Sequence, residues 1–243
     1  MHYNNDINFI FLHMPKTGGT FIQSHLNNIP NTYDDVYNPH NNKKRPDCHF
    51  GINEALDYID KPIEHYEIFS TTRNPFDMYV SLYEFTKENN FHEWRLFNKG
   101  DNPDFPTWLN RIVTIKKDPS IVELFKNDYT STSTWYKEPT LLDNIGWITY
   151  RWMKTCYKTN KDTEKYEEMI TTYLKQESLN KDLISLFKNK IKTPPYIIKD
   201  IKKSSKINQT ISRNPYQEYY TSDLIDLVYN YERLYLQKFN YTF

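Results

Sequence analysis

The stretch Phe9-Ile-Phe-Leu-His-Met-Pro-Lys-Thr-Gly-Gly-Thr-Phe-Ile-Gln-Ser-His-Leu26 changes character twice. Ile7 to His13 is a short, nearly continuous apolar run, the pattern of a strand buried on both faces. Pro15-Lys16-Thr17-Gly18-Gly19-Thr20 then reads as a turn, and a helix is expected to start near Gly18 or Gly19. Such a turn is an oxyanion cradle. Gly18 and Gly19 let backbone amides approach closely, the helix N-terminus adds partial positive charge, Thr17 and Thr20 offer hydroxyls, and Lys16 supplies a full charge. In the common P-loop the lysine follows the last glycine of G-x-x-x-x-G-K-[ST], whereas here Lys16 precedes both glycines.

A second unit of the same kind follows. Tyr66 to Thr72 reads as a strand running into Arg73-Asn74-Pro75, where Asn74 is a good N-cap and Pro75 suits the first helical position. Phe76, Tyr79, Val80 and Tyr83 recur at helical spacing. Arg73 thus falls at the carboxyl end of a strand, where open α/β sheets bind ligands, and its planar fork suits a phosphate. Ser81 lies about two turns beyond Asn74 on the same face, leaning towards the helix start. An Arg and a Ser in this relation are able to grip one phosphate.

Two strand-to-helix units imply right-handed crossovers, a mainly parallel sheet flanked by helices and a shared ligand edge. Later elements are fainter. Asp101 to Pro106 reads as a loop, Pro119 to Asn127 as a short helix and Asp128 to Pro139 as a polar stretch. Thr149 to Tyr157 reads as the continuation of a helix begun near Leu141. Ile170 to Glu177 is an expected strand, followed by a helix over Leu179 to Lys188. Leu224, Leu227, Val228 and Tyr231 mark an amphipathic helix.

Composition narrows the function classes. The chain of 243 residues is long enough for a substantial core and is read as a single domain spanning 1–243. Its 31 basic and 31 acidic residues cancel, so no global charge draws it to nucleic acid or an anionic membrane, and any anion must be held locally. The two cysteines, Cys48 and Cys156, are too few for a disulfide scaffold or a zinc site, and no metal site is expected. No run reaches the ~20 apolar residues of a membrane span and no export signal is visible, so the expectation is a soluble, cytoplasmic protein.

Together, His13 to Thr20 and Arg73 to Tyr83 resemble the two donor-site motifs of the PAPS-dependent sulfotransferases. In that family the first motif, His-x-Pro-Lys-Thr-Gly-Gly-Thr, forms the 5′-phosphosulfate loop. The second, Arg-Asn-Pro-Phe-Asp-x-x-Val-Ser-Leu-Tyr, binds the 3′-phosphate. Looser resemblance continues in Lys175-Gln-Glu-Ser-Leu and in Asn208-Gln-Thr-Ile-Ser-Arg-Asn-Pro-Tyr. Within the family the chain looks most like the carbohydrate enzymes, particularly the uronyl 2-O type and its bacterial relatives.

The resemblance implies a P-loop-like, three-layer α/β fold, with PAPS as donor, PAP as product and a hydroxyl-bearing acceptor, expected to be a carbohydrate. It implies Lys16, Thr17, Gly18, Gly19 and Thr20 at the 5′-phosphosulfate, and Arg73 and Ser81 at the 3′-phosphate. Ser212 and Arg213 are implied in a loop closing over the nucleotide. His49, in Asp-Cys-His-Phe-Gly-Ile-Asn-Glu-Ala-Leu, takes the place of the family's catalytic histidine, with Glu54 the alternative base. Arg151, Tyr150 and Trp152 are weaker candidates for the acceptor side.

Sulfuryl transfer to a hydroxyl is an in-line displacement, so positioning and charge stabilisation carry it. Lys16 is expected to neutralise the bridging oxygen, and His49, with an ordinary pKa near ~6.5, to take the acceptor's proton. Two other classes compete. A small-molecule P-loop kinase is disfavoured because no lysine follows the glycines. A catalytically inactive nucleotide-binding relative is disfavoured by intact Lys16, Arg73 and Ser81.

Overall fold

The computed structural model describes residues 1–34, 51–89, 102–114, 145–160, 165–204 and 213–243. His49, Ser212, Cys48 and the segments read above as a helix at 119–127 and a polar stretch at 128–139 lie outside them. The chain divides into two compact units, each assembled from two stretches: Met1–Arg73 with Trp152–Gln209, and Asn74–Arg151 with Thr210–Phe243.

Among the described residues, the first unit holds the strands. β1 (His2–Asn4), β2 (Phe9–Leu12), β3 (Tyr33–Asp34), β4 (Glu67–Thr72) and β7 (Thr172–Lys175) form one sheet in the order β3-β1-β2-β4-β7. β2, β4 and β7 pair in parallel, and β1 runs antiparallel to both β2 and β3. Four of these five strands therefore share a direction, which makes the sheet mainly parallel. β5 (Tyr157–Asn160) and β6 (Lys165–Glu168) form a separate antiparallel pair.

The apolar run in β2 is continuous because it feeds two cores. Phe9 and Phe11, with Phe69 of β4 and Leu174 of β7, pack under the helices α1 (Gly19–Leu26), α6 (Leu179–Asn189) and α7 (Pro195–Lys203). Ile10 and Leu12, with Ile68, pack on the other face with Met1, Tyr3 and the short helix α2 (Ile52–Ala55). Helices thus cover both faces, giving the three layers expected from the sequence. α1 buries Phe21, Ile22, His25 and Leu26, and α6 buries Leu179, Leu183, Leu186 and Phe187, each at helical spacing.

The second unit contains α3 (Pro75–Asn89), α4 (Phe105–Val113), α8 (Ser222–Tyr231) and α9 (Arg233–Phe239); the helix α5 (Trp147–Cys156) begins in it and ends in the first. α3 starts as read: Asn74 Oδ1 accepts the Phe76 N–H at 3.1 Å and Pro75 occupies the first position. Tyr83, Phe105 and fully buried Trp108 meet edge to face or stacked, tying α3 to α4.

Several expectations need correction. The loop over 101–106 ends early, because Asp104 caps α4 by accepting the Thr107 N–H at 3.0 Å, so Phe105 and Pro106 are already helical. α5 is seen from Trp147, with 141–144 outside the described residues, and Tyr157 belongs to β5 rather than to the helix. No helix among the described residues is long and apolar enough to cross a membrane.

Candidate functional site

Everything at the site follows from β2 and β4 lying side by side and parallel, with Leu12 opposite Ser70. Both strands therefore deliver their carboxyl ends to the same edge. The Lys16 loop leaves one strand and Arg73 leaves the other.

The loop backbone reverses sign residue by residue. Lys16 has φ +61°, Thr17 is not among the positive-φ residues, and Gly18, which caps α1, has φ +89°. Alternation of this kind turns successive N–H groups to one side and makes an anion-binding nest. For Gly18 the conformation is free; for Lys16 it costs about 1–2 kcal/mol, so the surroundings must hold it. They do so at both ends of one peptide. Arg73 Nη1 donates to the Lys16 carbonyl at 2.8 Å, and the Thr17 hydroxyl donates to the Met14 carbonyl at 2.6 Å while lying 2.5 Å from the Thr71 hydroxyl.

The two glycines are needed for space as well. A Cβ on Gly18 would stand 2.6 Å from Leu179 Cδ2, and one on Gly19 would stand 1.9 Å from the His13 ring. His13 itself is stacked on Phe11 at 6.0 Å. The first turn of α1 is therefore pressed onto the sheet, with its amides at the strand ends.

These positions sort the expected donor residues. Lys16 is half-buried and Thr20 is exposed on the first turn of α1. Thr17 is fully buried and its hydroxyl is spent inside the protein, so what it has to offer a phosphate is its backbone N–H. Arg73 is 8% exposed and already bonded to the loop. A nest of loop amides, a helix N-terminus and the Arg73 guanidinium meet at this edge beside Lys16, an arrangement able to hold an anion.

The remaining candidates are placed differently. Ser81 is 6% exposed on α3 in the second unit. Arg213 gives its guanidinium to Asp77 in the first turn of α3, with Nη2 at 2.5 Å from Oδ1. Asn74 Nδ2 donates to the Thr242 carbonyl, the Tyr220 hydroxyl donates to the Phe76 carbonyl, and Phe243 meets the Phe76 ring at 5.0 Å. Every residue from Asn74 to Asp77 except Pro75 is thus held by the 213–243 segment. Glu54, the alternative base, accepts the Gly51 N–H at 3.0 Å and caps α2. Tyr150 and Trp152 are buried, and Trp152 Nε1 donates to the Tyr173 hydroxyl, so neither is an exposed sugar platform.

One buried network escaped the sequence reading. Glu232, fully buried, accepts from the Ile148 and Thr149 N–H groups at 3.1 and 2.7 Å, from the Thr149 hydroxyl and from the Tyr79 hydroxyl. Burial pushes its carboxyl pKa up, against the pull of these donors. In the first unit, burial pushes the Cys156 thiol up to about 12, so it is an inert core thiol rather than a nucleophile. No local pattern announces the Glu232 network, because its partners are distant in the chain.

No curated protein matches the chain. One similar solved structure is the crystal structure of mouse sulfotransferase SULT7A1 complexed with PAP, at 12% identity and a TM-score of 0.48, covering 97% of this chain and 86% of that one. The model of the sulfotransferase family matches residues 1–242. With the family match spanning almost the whole sequence, this chain belongs to the sulfotransferase family, the PAPS-dependent enzymes its motifs resemble.

Proposed function

We propose that the chain, acting as one domain over 1–243, transfers the sulfuryl group of PAPS to a carbohydrate hydroxyl. The observation that supports this reading most is the 2.8 Å bond from Arg73 to the Lys16 carbonyl, which joins the two donor motifs across 57 positions of sequence.

In this reading Lys16, the loop amides of Thr17 to Gly19 and the Thr20 hydroxyl receive the 5′-phosphosulfate. Arg73 receives the 3′-phosphate, with Ser81 joining it on the strength of the motif alone, and Ser212 and Arg213 belong to the loop that closes over the nucleotide. The acceptor oxygen forms a new bond to sulfur as the bond from sulfur to the 5′-phosphate oxygen breaks. Lys16 neutralises the charge growing on that departing oxygen. His49 takes the acceptor's proton, and is preferred to Glu54 because Glu54 is engaged in capping α2. The histidine leaves protonated and returns its proton to solvent.

The test is a screen of labelled PAPS against polysaccharide, glycolipid, tyrosyl-peptide and small-alcohol acceptors, with PAP calorimetry in the absence of Mg²⁺. Incorporation into polysaccharide and loss of incorporation in Lys16→Ala are expected. A protein that binds ATP-Mg²⁺ and ignores PAP is a kinase-like protein instead, and label entering only peptide or alcohol rejects the carbohydrate acceptor. His49→Ala is expected to keep PAP binding and lose turnover.

A further inference from the structure

Thr17 has one hydroxyl proton, and the Met14 carbonyl at 2.6 Å takes it. The Thr71 hydroxyl, 2.5 Å from Thr17 Oγ1, must therefore be the donor in that pair, which orders a one-way chain from Thr71 through Thr17 to Met14. Thr71 is 2% exposed in β4 (Glu67–Thr72), and Arg73 is the residue that follows the strand's end, two positions on. Arg73 holds the carbonyl of Lys16, and Thr71 holds the side chain of Thr17. The peptide joining Lys16 to Thr17 is thus gripped on each side by the end of β4, at the point where Lys16 adopts its left-handed backbone.

From this arrangement we propose that Thr71 is a positioning residue for sulfuryl transfer, acting through Thr17 to aim Lys16. The proposal rests on the reading of Lys16 as the group at the sulfuryl end. Thr71 touches no substrate. What it supplies is the orientation of a neighbouring backbone on which the lysine's reach depends, and a displacement of about 1 Å at such a group costs up to ~100-fold in rate. Thr71 matters in this role only through its hydroxyl.

The experiment measures transfer of labelled sulfate from PAPS to the best acceptor of the screen, together with PAP calorimetry and thermal melting, for wild type, Thr71→Val, Thr71→Ser, Thr17→Val and the Thr17→Val/Thr71→Val pair. Thr71→Val is expected to lower kcat about tenfold or more while KM for PAPS and PAP affinity stay within about threefold, Thr71→Ser to return kcat to within about twofold, and the double variant to be no slower than the slower single one. If Thr71→Val does not fold, Thr71→Ala against Thr71→Ser makes the same comparison without added bulk. Wild-type kcat in the variant lacking the hydroxyl, a Ser variant as slow as it, or single effects that multiply would each overturn the proposal. Lys16→Ala with undiminished transfer would instead remove the underlying reading, and is a separate measurement.

Discussion

Gly19 lies against the His13 ring so closely that a Cβ there would come within 1.9 Å of it. The first turn of α1, which carries the amides of the candidate phosphosulfate cradle, sits on the sheet only because residue 19 has no side chain. His13 is 8% exposed and stacked on Phe11, so it has little room to retreat. Gly19→Ala is expected to push the helix start outward and weaken PAP binding about tenfold or more by calorimetry, an energy of ~1.4 kcal/mol. Adding His13→Ala frees the space, and the double variant is expected to recover part of the loss. Recovery that fails to appear would mean that the contact does not set the helix position.

The buried carboxylate of Glu232 makes a second prediction. Its two oxygens receive four donors from Tyr79, Ile148 and Thr149, and it caps the start of α5 from the α8–α9 junction. A Cβ on Gly146 would stand 2.0 Å from Glu232 Oε1, so the chain entering α5 must be glycine for the carboxylate to fit. Glu232→Gln keeps the shape and turns an amide N–H₂ towards groups that also donate. The expected cost is about 2–3 kcal/mol, read as a melting point lower by about 5–10 °C. Tyr79→Phe, which removes one donor of four, is expected to cost about 1 kcal/mol.

Much of this was legible in advance because the signals were local. The Lys16 turn and the Arg73-Asn74-Pro75 step each announce a strand end and a helix start through glycine, cap and proline chemistry, and the structure has α1 at Gly19 and α3 at Pro75. The elements that were missed carry local signals of the opposite sense. α7 opens on Pro194-Pro195, since proline is tolerated in a first turn, and Asp104, inside the expected loop over 101–106, is a cap. β5 and β6 are rich in Lys and Glu and show no apolar alternation, so only their mutual pairing makes them strands. Thr71 could not be singled out, because its role depends on Thr17, 54 positions earlier.

His2 supplies a pH dependence. Burial is the main reason its pKa is lowered to about 4, with the nearby N-terminal charge adding to it. The folded protein thus resists protonating a residue that the unfolded chain protonates near ~6.5. Between those two values the unfolded state binds more protons, so stability is full above about 6.5 and falls as the pH drops towards about 4. The shift corresponds to roughly 3 kcal/mol at most. Urea unfolding of wild type and His2→Gln at pH 7.5 and pH 4.5 checks it: the wild-type midpoint is expected to fall further between the two than that of the variant. Equal falls would place the acid sensitivity elsewhere.

Arg213 separates a direct role at the nucleotide from an indirect one. Its guanidinium is paired with Asp77 at 2.5 Å, both side chains are about four-fifths covered, and Asp77 lies in the first turn of the helix that Arg73-Asn74-Pro75 introduces. If the arginine works by holding that helix start, then Arg213→Ala and Asp77→Asn remove the same tie. Each is expected to weaken PAP binding by a similar factor, about three- to tenfold, and the double variant to be no weaker than the worse single one. If the arginine also reaches the nucleotide, Arg213→Ala exceeds Asp77→Asn, and the excess shrinks as salt is raised because a phosphate contact partly open to solvent is screened. Calorimetry of the three variants at low and high salt reads both quantities. The bonds from Tyr220 and to Thr242 already brace the same turn, so the equal, non-additive losses are the expected result.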